Sequence, residues 1–130
     1  MKISLYILIL GLGVFSTTAQ ISNAVEKYAL PPTLSGSSGA IFFNDKLITH
    51  NDSGGENKIY ELDTISGVVT KEVIISNATN VDWEELSQDE DFIYIGDIGN
   101  NKGNRTDLKV YKIDKNDYLN STSVTAETID

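Results

Sequence analysis

Short runs of apolar and alternating positions dominate the chain from Gly39 onward. The runs GAIFF and KLITH flank Asn44-Asp45, a two-residue hairpin signal, and KIYELD and VVTKEVII flank a second turn at Ser66-Gly67. No segment keeps an apolar period of 3.6 residues, so we expect little helix. The pattern therefore predicts an all-β fold.

The second half of this region repeats the first. A shift of 45 positions places Asp52 on Asp97, and after a longer loop Tyr60 falls on Tyr111. Two units of about 45 residues, each with about four short strands, are typical of β-propeller blades. The predicted strands of the first unit are about 38–43, 46–50, 58–63 and 67–75, and those of the second are about 83–88, 92–96, 108–113 and one that starts near Val124.

A closed propeller has four to eight blades, and this region provides only two four-stranded antiparallel blades. We therefore expect an N-terminal part of a longer protein, with blade one at about 38–75 and an incomplete blade two at about 83–130. A small open β-sandwich of two four-stranded sheets is the alternative. Residues 20–37, which contain Pro31-Pro32 and a Ser-Gly cluster, are predicted to be a leader or linker without regular pairing.

Residues 1–19 have the three parts of a secretory signal peptide. Lys2 precedes an apolar run from Ile3 to Phe15, and the small residues Thr17 and Ala19 form an A-x-A-like cleavage site, so the mature chain should begin after Ala19. The run is shorter than the roughly 20 apolar residues that span a bilayer, so no membrane span is expected after cleavage. The predicted location is extracellular or on the cell surface, with the periplasm as the alternative.

Charge and composition narrow the choice of partners. Without residues 1–19 the chain carries 9 basic and 19 acidic residues, which argues against nucleic acid, since its binding requires cationic patches. Cysteine is absent, so an exported chain must be stabilised by core packing, by metal, or by both. The expected partner is an extracellular ligand, whether protein, glycan or small molecule.

Two loops at equivalent positions of the repeat are rich in oxygen donors. Asp52 lies in THNDSGGEN, and its counterpart Asp97 opens DIGNNKGNRTD, which also contains Asn100 and Asp107. Calcium takes six to eight oxygens from carboxylates, amides and carbonyls, so these four residues are the candidate metal ligands. The alternative is an ordinary tight loop, in which Asn and Gly adopt positive φ and Asp caps backbone N–H groups.

Three residues are candidates for catalysis. If NVDWEE is extended, Asp82 and Glu84 share one face, where they could hold a cation or act as a general acid. His50 is the only histidine and a candidate base, although no Ser-His-Asp or Cys-His set can be assembled around it. The structural alternative is that Trp83 anchors the core, the acids are solvated, and His50 is a packed, hydrogen-bonded core residue.

The motifs HNDSG, NVDWEE and GDIGNN occur in this order within residues 34–114. Together they resemble a family of secreted bacterial proteins with a propeller-like region, some long members of which end in a sorting domain of the type IX secretion system. The resemblance adds weight to the shared motif positions without assigning them a reaction: His50, Asn51, Asp52, Asp82, Trp83, Glu84, Asp97 and Asn100. Calcium-dependent propeller phosphatases of the phytase kind are a more distant analogy.

These patterns favour a secreted β-propeller-type binding or surface-display module with calcium as a structural ligand. One alternative is a calcium-dependent hydrolase of phosphate esters, in which the acids of DWEE and the two Asp-x-Gly loops hold the metal. Another is a purely structural spacer in a larger surface protein. We favour a non-enzymatic role, because no complete catalytic set is visible in the sequence.

Overall fold

The computed structural model describes residues 26–130, so the predicted signal peptide and the first part of the leader lie outside the described residues. The strands of this part are β1 (Ser37–Phe43), β2 (Lys46–Asn51), β3 (Lys58–Asp63), β4 (Val69–Ile75), β5 (Trp83–Gln88), β6 (Phe92–Asp97), β7 (Lys109–Asp114), β8 (Ser123–Val124) and β9 (Glu127–Ile129). A 3₁₀-helix spans Pro32–Leu34, and the helix α1 spans Lys115–Asn120. Within residues 26–130, no helix has the length and apolar character needed to cross a bilayer.

The strands form two sheets. The first has the order β1-β2-β3-β4-β8 and is antiparallel except for the pair of β4 with β8, and the second has the antiparallel order β5-β6-β7-β9. The prediction of an all-β fold is therefore confirmed. Neither sheet closes on itself within the described part of the chain. The assignment of the two sheets to propeller blades stays a prediction.

The first seven strands lie within two residues of their predicted bounds, and local turn chemistry explains the connections of β1 with β2 and of β3 with β4. Asn44 and Asp45 both have positive φ, 51° and 59°, and Phe43 pairs with Lys46 across them. This backbone conformation matches the right-handed twist of the flanking strands, which is why Asn and Asp favour it. The predicted turn at Gly67 likewise uses a positive φ of 71°.

One apolar core joins the two sheets. Trp83 is fully buried in it, and its ring contacts the rings of His50 and Tyr111. Each fully buried aliphatic side chain contributes roughly 1.5–3 kcal/mol relative to an exposed one. The aliphatic side chains of this core that are 0% exposed come from both sheets: Ile48, Ile59, Val73, Ile75, Ile93, Ile95 and Ile113.

The chain crosses between the sheets near its C-terminal end, which corrects one prediction. The fourth strand of the second unit does not start at Val124, because Val124 belongs to β8 and pairs with Ile75 of the first sheet. The buried side chain of Val124 joins the core there. Asn77 then binds both backbone groups of Ala126, each at 2.9 Å, before β9 completes the second sheet. Burial and these hydrogen bonds decide the pairing.

The described part of the leader is packed onto the first sheet. Leu34 is 2% exposed and packs with Tyr60 and Leu62 on the sheet face turned away from the main core. The carbonyl oxygen of Thr33 accepts a hydrogen bond from Asn51 at 2.8 Å. The predicted lack of strand pairing holds up to Gly36, but β1 begins at Ser37. This segment therefore covers apolar surface that β3 would otherwise expose.

Candidate functional site

Three carboxylates contributed by both sheets meet in one cluster. Asp52 directly follows β2 of the first sheet, whereas Asp82 precedes β5 of the second and Glu84 lies within it. One carboxylate oxygen from each residue lies within 4.8 Å of the other two. Asp52 is exposed and the other two are half-buried, so solvent reaches the group. We refer to these three residues as the carboxylate cluster.

Asn80 fastens the two sheets together beside the carboxylate cluster. Its buried side chain donates from Nδ2 to the carbonyl oxygens of Asn51 and Asp52, at 2.9 and 3.0 Å. Its Oδ1 accepts from the backbone N–H of Trp83 at 3.2 Å. The loop after β2 is thereby fixed to the start of β5. In the sequence, the only sign of this role is the position of Asn80 at the head of NVDWEE.

Gly99 lies directly against the carboxylate cluster. A Cβ atom at this position would overlap the carboxylate of Asp82 and lie 2.7 Å from Oε1 of Glu84. The Gly99 N–H also donates to the carbonyl oxygen of Asp82 at 3.0 Å. The absence of a side chain therefore makes room for two acids. The sequence places Gly99 in a loop but does not show this close approach, which depends on the fold.

Two of the predicted metal ligands form ion pairs with Arg105. Nη1 of Arg105 lies 2.9 Å from Oδ1 of Asp97, and Nε lies 3.0 Å from Oδ1 of Asp107. The hydrogen bond from Arg105 holds the pKa of Asp107 below its usual range, and that bond, with a smaller contribution from Asp97, raises the pKa of Arg105. Arg105 is the only arginine of the sequence, which is the signal that could have singled it out.

The predicted ligand Asn100 caps the turn that follows it. The side-chain oxygen of Asn100 accepts from the backbone N–H groups of Asn104 and Arg105, at 2.9 and 3.0 Å. This is the turn-capping role that was the alternative for this loop. Of the three predicted carboxylate ligands, only Asp52 belongs to the carboxylate cluster, whereas Asn100 lines a surface pocket together with Asp82. The partners of Asp52 in the cluster are the two acids predicted as catalytic candidates.

His50, the third catalytic candidate, is 0% exposed. Its Nδ1 donates to the carbonyl oxygen of Asn51 at 2.9 Å, and its ring meets that of Trp83 nearly edge-on, with centroids 5.7 Å apart. Burial lowers the pKa of His50 below 6.5, against smaller raising effects from the Asn51 hydrogen bond and from nearby carboxylates, Asp52 first among them. A general base must reach the proton that it takes, so this setting fits a packed core residue better.

The geometry of the carboxylate cluster fits one hard cation. Two oxygens that each lie 2.3–2.6 Å from one calcium ion are at most about 5 Å apart, and these lie within 4.8 Å of one another. None of the three carboxylates forms an ion pair with Lys or Arg in the described part of the chain. Their mutual repulsion is therefore not offset by a neighbouring positive side chain.

Comparison with known proteins gives no family assignment. A scan against models of protein families, a search of curated proteins and a search of solved structures each found no match. The resemblance based on the three motifs therefore stays a prediction, and the function is argued from the residues of this chain.

Proposed function

We propose that this chain is an exported binding or surface-display module of the β-propeller type, in which a calcium ion held by the carboxylate cluster fastens the two sheets together. The observation that carries the proposal is the convergence of three acids from both sheets, within 4.8 Å and without a basic partner among the described residues. These acids meet only in the folded chain, so a bound ion stabilises the folded state alone.

A comparison of Asp52 with Asp97 supports a cation at the carboxylate cluster. Asp97 is the last residue of β6, and Asp52 directly follows β2, so both acids lie where the second strand of a sheet ends. The protein neutralises Asp97 with its own cation, the guanidinium of Arg105. Asp52 has Asp82 and Glu84 as neighbours instead. A positive charge from outside the chain would offset this repulsion, and oxygen ligands favour a hard ion such as calcium.

The calcium-dependent hydrolase is the second candidate. It is favoured by one observation, namely that Asp82 and Glu84 lie side by side in a position that solvent reaches. Two such acids can share a metal and polarise a substrate oxygen. The burial of His50 removes the base that would complete a catalytic set. We therefore place the non-enzymatic module first.

Thermal melts of the full chain in calcium and in chelator test the proposed ion. At a free calcium concentration of about 100 times the Kd, binding adds about 2.7 kcal/mol to the free energy of unfolding, which raises the Tm by roughly 10 °C for a domain of this size. Glu84→Gln should lose most of this rise. Glu90→Gln, in an exposed turn position, removes the same charge and should keep it. An unchanged Tm of the wild type would overturn the calcium proposal.

Ligand binding has a separate test. Arrays of extracellular glycans and peptides are probed with the wild type and with Glu84→Gln, each in calcium and in chelator. A binding module is expected to retain a defined set of ligands, and a set that appears only with calcium and wild-type protein places the ion in the binding site. Turnover of a phosphoester panel by the wild type, lost in Glu84→Gln, would favour the hydrolase instead.

A further inference from the structure

Arg105 makes contacts that converge on the backbone beside the carboxylate cluster. Its Nη1 donates to Oδ1 of Asp97 and to the carbonyl oxygen of Gly99, both at 2.9 Å. The side chain of Arg105 is only 14% exposed, and that of Asp97 is 0% exposed. The guanidinium is therefore a largely buried link between the end of β6 and the loop that follows it.

The two groups that Arg105 contacts hold the backbone of Asp82 on both sides. Oδ1 of Asp97 accepts a hydrogen bond from the N–H of Asp82 at 3.0 Å. The N–H of Gly99 donates to the carbonyl oxygen of Asp82, also at 3.0 Å. Gly99 in addition lies against the side chains of Asp82 and Glu84. The position of two cluster acids thus depends on residues that Arg105 keeps in place.

This ion pair is not expected to add much to the net stability of the fold. Oδ2 of Asp97 and Nη2 of Arg105 are buried and have no hydrogen-bond partner in the described part of the chain. A buried ion pair contributes to stability only when its remaining donors and acceptors are satisfied, because desolvation of both charges must be offset. The clearest effect of the pair is therefore the geometry that it imposes on Asp82 and Gly99.

We propose that Arg105 is a positioning residue of the cation site: paired with Asp97, it fixes the backbone of Asp82 and Gly99 and so sets the geometry in which Asp82 and Glu84 bind the ion. This inference rests on the proposed function. Residues that orient metal ligands without touching the metal typically change its affinity 10- to 100-fold when replaced.

Calcium titration calorimetry of the full chain, below the melting temperature of every variant, tests this role. Arg105→Lys keeps the positive charge but replaces the planar guanidinium fork by a compact ammonium group, so its Kd should rise about 10-fold or more. The double variant Arg105→Gln with Asp97→Asn avoids a buried unpaired charge and should show a similar loss. Lys112→Gln, which breaks the ion pair with Glu127 on the same sheet, is the control and should stay within about twofold of the wild-type Kd.

Amide hydrogen exchange in chelator distinguishes an effect of Arg105 on the position of the backbone from an effect of its charge on the ion. In Arg105→Lys the amides of Asp82 and Gly99 should exchange faster, whereas those of Ile59 and Val73 in the first sheet should not change. A higher Kd with unchanged exchange at Asp82 and Gly99 would overturn positioning in favour of a charge effect. Unchanged Kd values in both Arg105 variants would overturn the inference and leave the cation site standing. Absence of calcium binding by the wild type would overturn the cation site itself, together with this role.

Discussion

Asp52 and Asp82 lie next to strands of different sheets, yet one carboxylate oxygen of each lies within 4.8 Å of the other. Like charges at this distance repel, by an amount that depends on how much water screens them. The fold nevertheless fixes both residues there, through Asn80 on one side and Gly99 on the other. The cluster is therefore a place where binding of a cation and stability of the fold are linked.

Asp52→Asn should have opposite effects in chelator and in calcium. Without divalent cations, loss of one repelling charge should raise the Tm by roughly 1–3 °C, because exposed charge pairs are worth little in water. With calcium in excess, the variant should melt below the wild type, because a neutral amide replaces a charged carboxylate ligand. Calorimetric melts in both buffers measure this. The same sign of change in both would contradict the role of Asp52 as a ligand.

Gly99→Ala should separate the carboxylates without unfolding the chain. The new Cβ would overlap the ends of the flexible Asp82 and Glu84 side chains, which can rotate away. We expect calcium to raise the Tm of this variant less than half as much as that of the wild type, with an unchanged circular dichroism spectrum. Gly36→Ala is the matched control, because its Cβ would have no neighbour closer than 3.9 Å. An equal calcium response in both variants argues against a need for glycine at position 99.

The fold was predictable where it depends on neighbouring residues. The Asn44-Asp45 turn, with apolar runs on both sides, specifies its hairpin locally, and its register follows from turn length. The helix α1 escapes detection by periodicity because it spans only Lys115–Asn120. Its start is nevertheless local, since the side chain of Asp114 accepts from the N–H groups of Asn116 and Asp117.

The pairing of distant residues was not predictable from pattern. Val124 joins the first sheet, where its side chain is buried in the core, and Asn77, far away in the sequence, holds Ala126 at both backbone groups. The same limit applies to the site. Composition identifies Asp97 as an oxygen donor, but only the fold shows that Arg105 reaches it. Acidic residues thus suggest a cation site in the sequence, and the choice of ligands depends on which charges the tertiary structure already pairs.

Trp83→Ala should destabilise the fold strongly. The side chain is 0% exposed, packs against His50 and Tyr111, and donates from Nε1 to the carbonyl oxygen of Thr79 at 3.2 Å. Truncation of a buried Trp typically costs about 3–5 kcal/mol, a large share of the 5–15 kcal/mol of a normal domain. Urea unfolding followed by circular dichroism measures the loss, since the variant has no Trp fluorescence.

Phe42→Ala is the control for this large aromatic truncation. Phe42 is 59% exposed, so its loss should change the free energy of unfolding by no more than about 0.5 kcal/mol. Similar losses in the two variants would contradict the central place of Trp83 in the core.

If the chain is secreted, its mature form should have a defined N-terminus. If residues 1–19 are a signal peptide, the protein recovered from outside the cytoplasm should begin at Gln20. Intact-mass spectrometry of that material decides the point. Ala19→Leu, which removes the small residue next to the cut, should leave uncleaved precursor, whereas Ser22→Leu should not. Recovery of the exported wild type with Met1 still attached contradicts cleavage at this position.

The turn between β3 and β4 should make the free energy of unfolding depend on pH in the acidic range. The carboxylate of Asp63 accepts hydrogen bonds from the backbone N–H and hydroxyl of Ser66 and from the backbone N–H of Ile65. These bonds, the Ser66 backbone bond first, lower the pKa of Asp63 from 3.8 to about 2. Because the pKa is lower in the folded than in the unfolded chain, the unfolded chain binds more protons between these values. The contribution is full above about pH 4 and is lost as the pH falls to 2.

Asp63→Asn isolates this contribution, because the amide keeps the size of the side chain and one acceptor oxygen but does not titrate. The wild type should be the more stable of the two above pH 4, since a charged acceptor forms the stronger hydrogen bonds. The difference should shrink steadily between pH 4 and pH 2, where the carboxylate of the folded protein takes up its proton. Urea unfolding at half-unit pH steps measures it. A difference that does not vary with pH would show that the turn depends on the shape of the Asp63 side chain and not on its charge.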